Sequence, residues 1–393
     1  MDANAHHLLT LGLLLILALI AEALGRHTRI PRISLLVLLG FVLGPAALDM
    51  IDPRRTPGFD FVAALALSMV GFLVGGKLER KLFRASGWLV LRLSALQALV
   101  TFGVVALGLW LFGVPLELAL LLGAIATATD PAATMEAIRD SGKGGRFVEV
   151  LTGVVAVDDA WGLILFSVAV LCIQLVSGGA ADHAPLLSAE REILGAGALG
   201  VALGLPMALL SGRIRPGEPT LMEAVGMVML CAGLAQVLHV SSLLACVVLG
   251  ITVANLARHH TRSFHAVEEI EWPFLALFFL FSGAYLTTGA LAQAGVLLLA
   301  YVGLRILGRL VGSRVSSLGA GKDTRLARNM GVAMLPQAGV AMAMAFQASS
   351  LYPHLQDRLL PVVIAAMVLF ELAGPVITSR VLKREGTPRR QKS

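Results

Sequence analysis

The sequence Ala126-Thr127-Ala128-Thr129-Asp130-Pro131 lies in the middle of an apolar segment that runs from 115 to 138. A proline inside a helix removes a backbone donor and disrupts the preceding turn, and the residue before it is pushed out of helical geometry. We therefore predict an unwound point here, where the Asp130 carboxylate caps the N–H groups of the following half-helix. Thr127 and Thr129 add hydroxyl groups. The alternative interpretation is a plain kink with Asp130 as a local cap.

The rest of the chain consists of further apolar segments of similar length. Of the 393 residues 57% are apolar and only 14% are charged, whereas soluble domains have about 25% charged residues. This composition excludes a disordered chain and argues against a large soluble enzyme. We predict an all-α polytopic membrane protein with about 13 transmembrane helices in one transmembrane domain, 1–393. The segments are 8–24, 30–49, 59–76, 86–112, 115–138, 147–176, 190–211, 220–237, 241–257, 268–288, 290–316, 325–350 and 358–384.

The basic residues are distributed unevenly between the connecting loops. Twenty-four of the 31 Lys and Arg residues fall in alternate loops and the C-terminal tail, and four fall in the other loops. Cytoplasmic loops of membrane proteins carry the excess of basic residues. The pattern predicts a multi-pass protein of the cell (inner) membrane, with its N-terminus outside and its C-terminus in the cytoplasm. The net charge of +6 therefore reflects topology, and we expect no nucleic-acid partner.

Two adjacent carboxylates, Asp158 and Asp159, lie within the sixth apolar segment. An ionisable group inside a membrane is costly and indicates a functional site. Two neighbouring acids do not both ionise without a nearby cation, so one can hold a proton or a cation while an arginine neutralises the other. Arg305 and Arg309 are one turn apart on one face of segment 11, and Glu371 in segment 13 is an expected partner of Arg305. The alternative is that the acid pair lies in a loop.

A second break is predicted at Met334-Leu335-Pro336-Gln337-Ala338-Gly339. Pro131 lies about as far from the start of segment 4 as Pro336 lies from the start of segment 11. Segments 4–6 (86–176) and 11–13 (290–384) thus look like two copies of a three-helix unit, and three helices per copy make the copies inverted. Paired broken helices indicate a transporter site. Because the acid pair occurs in one copy only, we predict one cation site per chain.

Several motifs in this order resemble the cation:proton antiporter superfamily, the sodium/proton exchangers. The Thr-Asp-Pro break, the Asp-Asp pair and the Arg-x-x-Gly-basic run that ends at Arg309 carry the resemblance, which covers essentially the whole chain. The stretches 39–45, 72–79, 250–255 and 278–283 are similar to further family motifs, although 72–79 departs from its motif at Gly76-Lys77. The resemblance implies inverted repeats with two crossing broken helices. The acid pair at 158–159 resembles the branch of the superfamily that has Asp-Asp, and not Asn-Asp, at these two positions.

The resemblance also implies roles for the site residues. Asp159 is expected to bind the ion and the proton, and so to be the ligand of the monovalent cation. Asp158 is expected to pair with Arg309 beside the bound ion. Thr129 and Asp130 of the unwound helix are expected to supply further oxygen ligands to the ion, together with backbone carbonyls of the broken helices. Electrogenic members of the superfamily, which move unequal charges in the two directions, usually have lysine at the Arg309 position. The arginine here leaves the ratio of cations to protons open.

The function implied is secondary transport in pH homeostasis, not enzymatic catalysis. Monovalent cations are exchanged for protons by alternating access, with sodium as the expected cation and lithium or potassium as alternatives. No cofactor is expected. The chain is expected to form a homodimer in the lipid bilayer, with the helices outside the two repeats as dimerisation and scaffold unit.

Two alternative functions are an intramembrane aspartyl protease and a transporter of organic anions. An intramembrane aspartyl protease also needs two membrane carboxylates, but the acids here lack the Gly-x-Gly-Asp context of those enzymes. A transporter of organic anions with the same fold has no need of an Asp-Asp pair.

Overall fold

The structure is a computed structural model that describes residues 3–28, 31–52, 59–78, 87–177, 184–211, 220–257, 260–318, 320–337 and 339–388. These residues form fifteen α-helices. The first eight are α1 (Ala3–Thr28), α2 (Arg32–Leu43), α3 (Phe59–Gly76), α4 (Gly87–Leu111), α5 (Leu116–Ile125), α6 (Pro131–Ser141), α7 (Arg146–Ser177) and α8 (Ala184–Ser211). The others are α9 (Thr220–Val237), α10 (Ser242–Leu256), α11 (His260–Ala284), α12 (Thr288–Ser317), α13 (Thr324–Ala333), α14 (Gly339–Leu351) and α15 (Gln356–Glu385).

The helices match the predicted segments closely. Eleven of the thirteen segments each contain one helix, and the segments 115–138 and 325–350 each contain two. The all-α fold with two broken helices is therefore confirmed. Within the described residues, four helices are long and apolar enough to cross a membrane by length and composition alone: Gly87–Leu111, Arg146–Val176, Thr288–Ser317 and Pro353–Glu385. The number of membrane crossings stays a prediction.

The helices pack in two groups. In the first group α4 lies against α12, α5 lies between α4 and α7, and α15 contacts α6, α12, α13 and α14. In the second group α10 packs against α3 and α8, and α11 packs against α2, α3 and α9. The groups meet where α7 contacts α8, α15 contacts α2, and α14 contacts α3. The first group comprises the helices of segments 4–6 and 11–13.

Glycines bring α3 and α10 into backbone contact. A Cβ atom at Gly75 would collide with the carbonyl oxygen of Val247, and one at Gly250 would collide with that of Phe72. Gly40 in α2 and Gly283 in α11 make the same reciprocal approach to Leu280 and Val37. Small residues allow such close helix packing in membranes. The described parts of the four family-like stretches, 39–45, 72–78, 250–255 and 278–283, thus lie in two tightly packed helix pairs.

Short contacts show which loops share a face of the molecule. The two-residue strands β1 (Lys143–Gly144) and β2 (Thr387–Pro388) pair antiparallel, and an Arg146 Nη2 atom lies 3.5 Å from Asp323 Oδ2. On another face His354 Nε2 lies 3.1 Å from Glu117 Oε2. The loops after α6, α12 and α15, which the charge pattern assigns to the cytoplasm, therefore lie together. Of the loop residues in that charge pattern, Arg29, Arg54, Arg55, Arg80, Lys81, Arg84, Arg213, Arg215, Arg258, Arg389, Arg390 and Lys392 lie outside the described residues.

Candidate ion-binding site

The first break separates α5 from α6. The backbone leaves the helix after Ile125, and Asp130 takes extended dihedral angles (φ −100°, ψ 105°) as the N-cap of α6. Its carboxylate accepts a hydrogen bond from the Ala132 N–H at 2.9 Å. Pro131 occupies the first helical position, where its missing N–H costs nothing. Asp130 therefore caps the positive end of the second half-helix.

The second break lies against the first, so the two broken helices cross. Helix α13 ends at Ala333, residues 334–337 are not helical, and α14 begins at Gly339. The Asp130 N–H donates to the Pro336 carbonyl at 3.0 Å. The Gln337 Nε2 atom donates to the Ile125 carbonyl at 2.9 Å and to the Tyr301 hydroxyl at 3.2 Å. These bonds join the two unwound stretches directly.

Arg305 holds both unwound stretches from α12. It is fully buried, and its guanidinium donates to the carbonyls of Ala126 at 3.0 Å, Ala128 at 3.0 Å and Leu335 at 2.8 Å. The guanidinium carbon lies 4.2 Å from the centre of the Phe370 ring. Free carbonyls at helix C-termini carry partial negative charge, and a guanidinium presents five donors in a fixed fork. Arg305 therefore neutralises the ends of α5 and α13.

Glu371 does not fulfil the expectation that it pairs with Arg305. Its Oε2 atom accepts a hydrogen bond from the Ser34 hydroxyl at 3.2 Å, and both side chains are buried. Each of the three Arg305 guanidinium nitrogens instead donates to a backbone carbonyl. Glu371 instead connects α15 of the first helix group to α2 of the second.

Asp158 is held by fixed partners. Its Oδ2 atom lies 3.0 Å from Arg309 Nη2, and both side chains have 0% exposure. The same oxygen accepts a hydrogen bond from the Thr129 hydroxyl at 2.9 Å, and Arg309 Nη2 also donates to the Thr127 carbonyl. Arg305 and Arg309 together thus bind three successive carbonyls of the first break. A buried carboxylate with a buried guanidinium and a hydroxyl donor is electrically compensated.

Asp159, the next residue on α7, has a different environment. Its side chain is 1% exposed, and among the described residues neither carboxylate oxygen accepts a hydrogen bond. The Lys77 ammonium lies 3.7 Å from Oδ2, and the Lys77 side chain is 40% exposed. The hydrogen bonds of Thr129 and Asp130 are directed to Asp158 and to α6. Within the described part of the chain, Asp159 is therefore a buried acid without a buried hydrogen-bond or ion-pair partner.

Lys77 was not predicted as part of the site. The charge pattern placed it in a solvated cytoplasmic loop, and the signal available was the Gly76-Lys77 departure within 72–79. Tyr301 was also missed, because a tyrosine in an apolar helix gives no functional signal. The other predicted site residues lie at or beside the crossing, namely Thr129, Asp130, Pro131, Asp158, Asp159, Arg305, Arg309, Pro336 and Gln337.

The arrangement of the site allows counter-ions to exchange at one carboxylate. Two adjacent acids lie against crossed half-helices. Arg309 neutralises one acid, and the other has a partly exposed lysine as its one cationic neighbour among the described residues. Asp159, the acid beside the lysine, can therefore exchange its counter-ion. Oxygen ligands of this type suit hard cations, and crossed half-helices around such a site characterise secondary transporters.

Known proteins with similar sequences and structures belong to this class. Residues 12–384 match the family described as sodium/hydrogen exchanger, transmembrane. The ammonium/H(+) antiporter subunit AmhT of Alkalihalophilus pseudofirmus is 27% identical over 281 residues, 70% of each chain. The K(+)/H(+) antiporter subunit KhtU of Bacillus subtilis is 21% identical over 95% of this chain and 93% of its own. The structure of the sodium proton antiporter MjNhaP1 of Methanocaldococcus jannaschii superposes with a TM-score of 0.76 at 17% sequence identity. The superposition covers 97% of this chain and 98% of the MjNhaP1 chain.

The chain belongs to the sodium/hydrogen exchanger family. It is a multi-pass membrane protein with the antiporter fold, and it is a cation/proton antiporter. The family consists of transporters and not of enzymes, which sets aside the alternative of an intramembrane protease. The transported cations and protons are substrates, and members of the family need no cofactor.

Proposed function

We propose that this antiporter exchanges sodium for protons at Asp159, with lithium and potassium as further substrates to be tested. The observation that carries the proposal is the difference between the two acids. Arg309 and Thr129 compensate Asp158, whereas Asp159 has no hydrogen-bond donor among the described residues. Of these two acids, Asp159 is then the one left to take up a proton or a cation. The names of the relatives include ammonium, potassium and sodium, so the cation has to be measured.

Competition at one carboxylate explains the exchange. At low pH a proton neutralises Asp159, and at higher pH a cation does. An ionised carboxylate without a counter-ion is costly inside a membrane, so the site crosses only when it is loaded. Asp158 and Asp130 add negative charge nearby, and the free carbonyls of the two breaks offer further oxygen ligands.

The two helix groups support alternating access. We propose that the first group (α4–α7 and α12–α15) is the moving unit with the inverted repeats 86–176 and 290–384. The remaining helices are the scaffold and the homodimer interface. The N-terminus is outside and the C-terminus is in the cytoplasm, as the positive-inside pattern predicts. The shared face of the loops after α6, α12 and α15 supports this sidedness.

The proposal predicts cation-driven proton movement in reconstituted vesicles. When sodium is added outside liposomes that contain the purified protein and a pH-sensitive dye, sodium should enter, protons should leave, and the dye should report a more alkaline lumen. The same assay with lithium and potassium, under a clamped membrane potential, reports cation preference and charge stoichiometry together. No response to any of the three cations would contradict the proposal. Uptake of an organic anion without proton movement would favour the organic-anion alternative instead.

A further inference from the structure

The Lys77 ammonium is the one cation within ion-pair distance of Asp159 among the described residues. Lys77 follows directly after α3, which ends at Gly76. Its N–H donates to the Val74 carbonyl at 3.1 Å, and the Asn255 side chain donates to the Leu78 carbonyl at 2.9 Å. The backbone of Lys77 is therefore fixed to the tightly packed α3–α10 pair.

The Lys77–Asp159 ion pair connects the two helix groups. Asp159 belongs to α7 in the first group, and Lys77 is anchored on α3 and α10 in the second. A flexible four-carbon stem carries the ammonium from one group to the other. A displacement of the first group relative to the second that exceeds the reach of this stem must break the ion pair.

Lys77 differs from Arg309 in how firmly it is held. Arg309 is completely buried and donates to the Thr127 carbonyl as well as to Asp158. The Lys77 ammonium lies at 3.7 Å from Asp159, beyond hydrogen-bond distance, and its side chain is 40% exposed. The Asp158 partner is therefore enclosed by the protein interior, whereas the Asp159 partner is accessible from the solvent side.

We propose that Lys77 is a tethered competitor of the transported cation. It neutralises Asp159 when no cation is bound, and it must leave the carboxylate when a cation enters, because two positive charges at one acid repel each other. Lys77 thereby sets the apparent affinity for the cation. This inference rests on the proposed role of Asp159. It also gives a function to the Gly76-Lys77 departure from the family motif.

The test is the cation dependence of exchange in vesicles for the wild type, Lys77→Met and Lys77→Arg. We expect Lys77→Met to lower the half-saturating sodium concentration, because the competing charge is removed. The expected change is about fivefold, which is the size of effect that a partly exposed ion pair produces. Lys77→Arg, which keeps the charge, should stay close to the wild type. Lys322→Met removes an exposed lysine from the loop after α12 and should leave the half-saturating concentration unchanged.

The outcomes separate this inference from the proposed function. If the wild type exchanges cations and Asp159→Asn does not, the proposed function holds. A folded Lys77→Met protein with unchanged or weaker cation affinity would then overturn the role of Lys77 alone. The thermal unfolding temperature of each variant in detergent establishes that it is folded, and Lys77→Gln provides a polar replacement if Lys77→Met does not fold.

Discussion

Asp159→Asn is expected to abolish cation-dependent proton movement. Asparagine has nearly the same shape as aspartate but cannot take up a proton or neutralise a cation. Because Arg309 and Thr129 already compensate Asp158, no second free acid at the same position replaces the lost function. The fold should survive, since neither Asp159 oxygen accepts a hydrogen bond from the described residues. Dye-loaded vesicles measure the loss directly.

The matched control for this variant is Asp140→Asn. Asp140 is exposed near the end of α6, on the face that carries the basic loops, and its replacement removes the same charge from the chain. It should exchange cations at the wild-type rate. Wild-type exchange by a folded Asp159→Asn protein would show that the carrier acid has been assigned to the wrong residue.

Arg305→Met is expected to destabilise the crossing of the broken helices and to lower transport at least tenfold. The substitution leaves the carbonyls of Ala126, Ala128 and Leu335 without their donor. A hydrogen bond to a charged group contributes about 1.5–3 kcal/mol, and an unsatisfied buried group costs about 1–3 kcal/mol. Thermal unfolding in detergent and exchange in vesicles measure the two effects.

Two further variants show whether the effect comes from the three carbonyls. Arg314→Met, in the last turn of the same helix, removes an exposed arginine and should leave both unfolding temperature and transport unchanged. Arg305→Lys keeps the charge but lacks the fork-shaped set of donors, so an intermediate result is expected. An Arg305→Met protein as stable and active as the wild type would refute the capping role.

The architecture was predictable because its strongest determinants are local. Pro131 and Pro336 each remove a backbone donor, and both breaks lie next to them. Other prolines nevertheless lie inside continuous helices, namely Pro206, Pro273, Pro361 and Pro375. Apolar segments of spanning length located the helices, but not every bound: α11 begins at His260, whereas its segment begins at 268. The acid pair stood out because so few charges lie within the apolar segments.

The partners of the site residues were less predictable, because they depend on distant parts of the chain. Arg305 binds backbone carbonyls, and every residue has a carbonyl, so the sequence contains no pattern that identifies these partners. The sequence therefore predicts Arg305 as the partner of Glu371, although Glu371 accepts a hydrogen bond from Ser34. Lys77 follows a helix in the other group, and its contact with Asp159 arises from the packing of α3 beside α7.

The central claim is that a cation and a proton compete for Asp159. Direct binding of sodium to the purified protein, measured by calorimetry at a series of pH values and in buffers of different ionisation enthalpy, tests it most directly. We predict that binding releases a proton and that affinity falls about tenfold per pH unit on the acid side, and that Asp159→Asn binds no sodium at this site. Sodium affinity that is independent of pH, or equal in Asp159→Asn and the wild type, would contradict the claim.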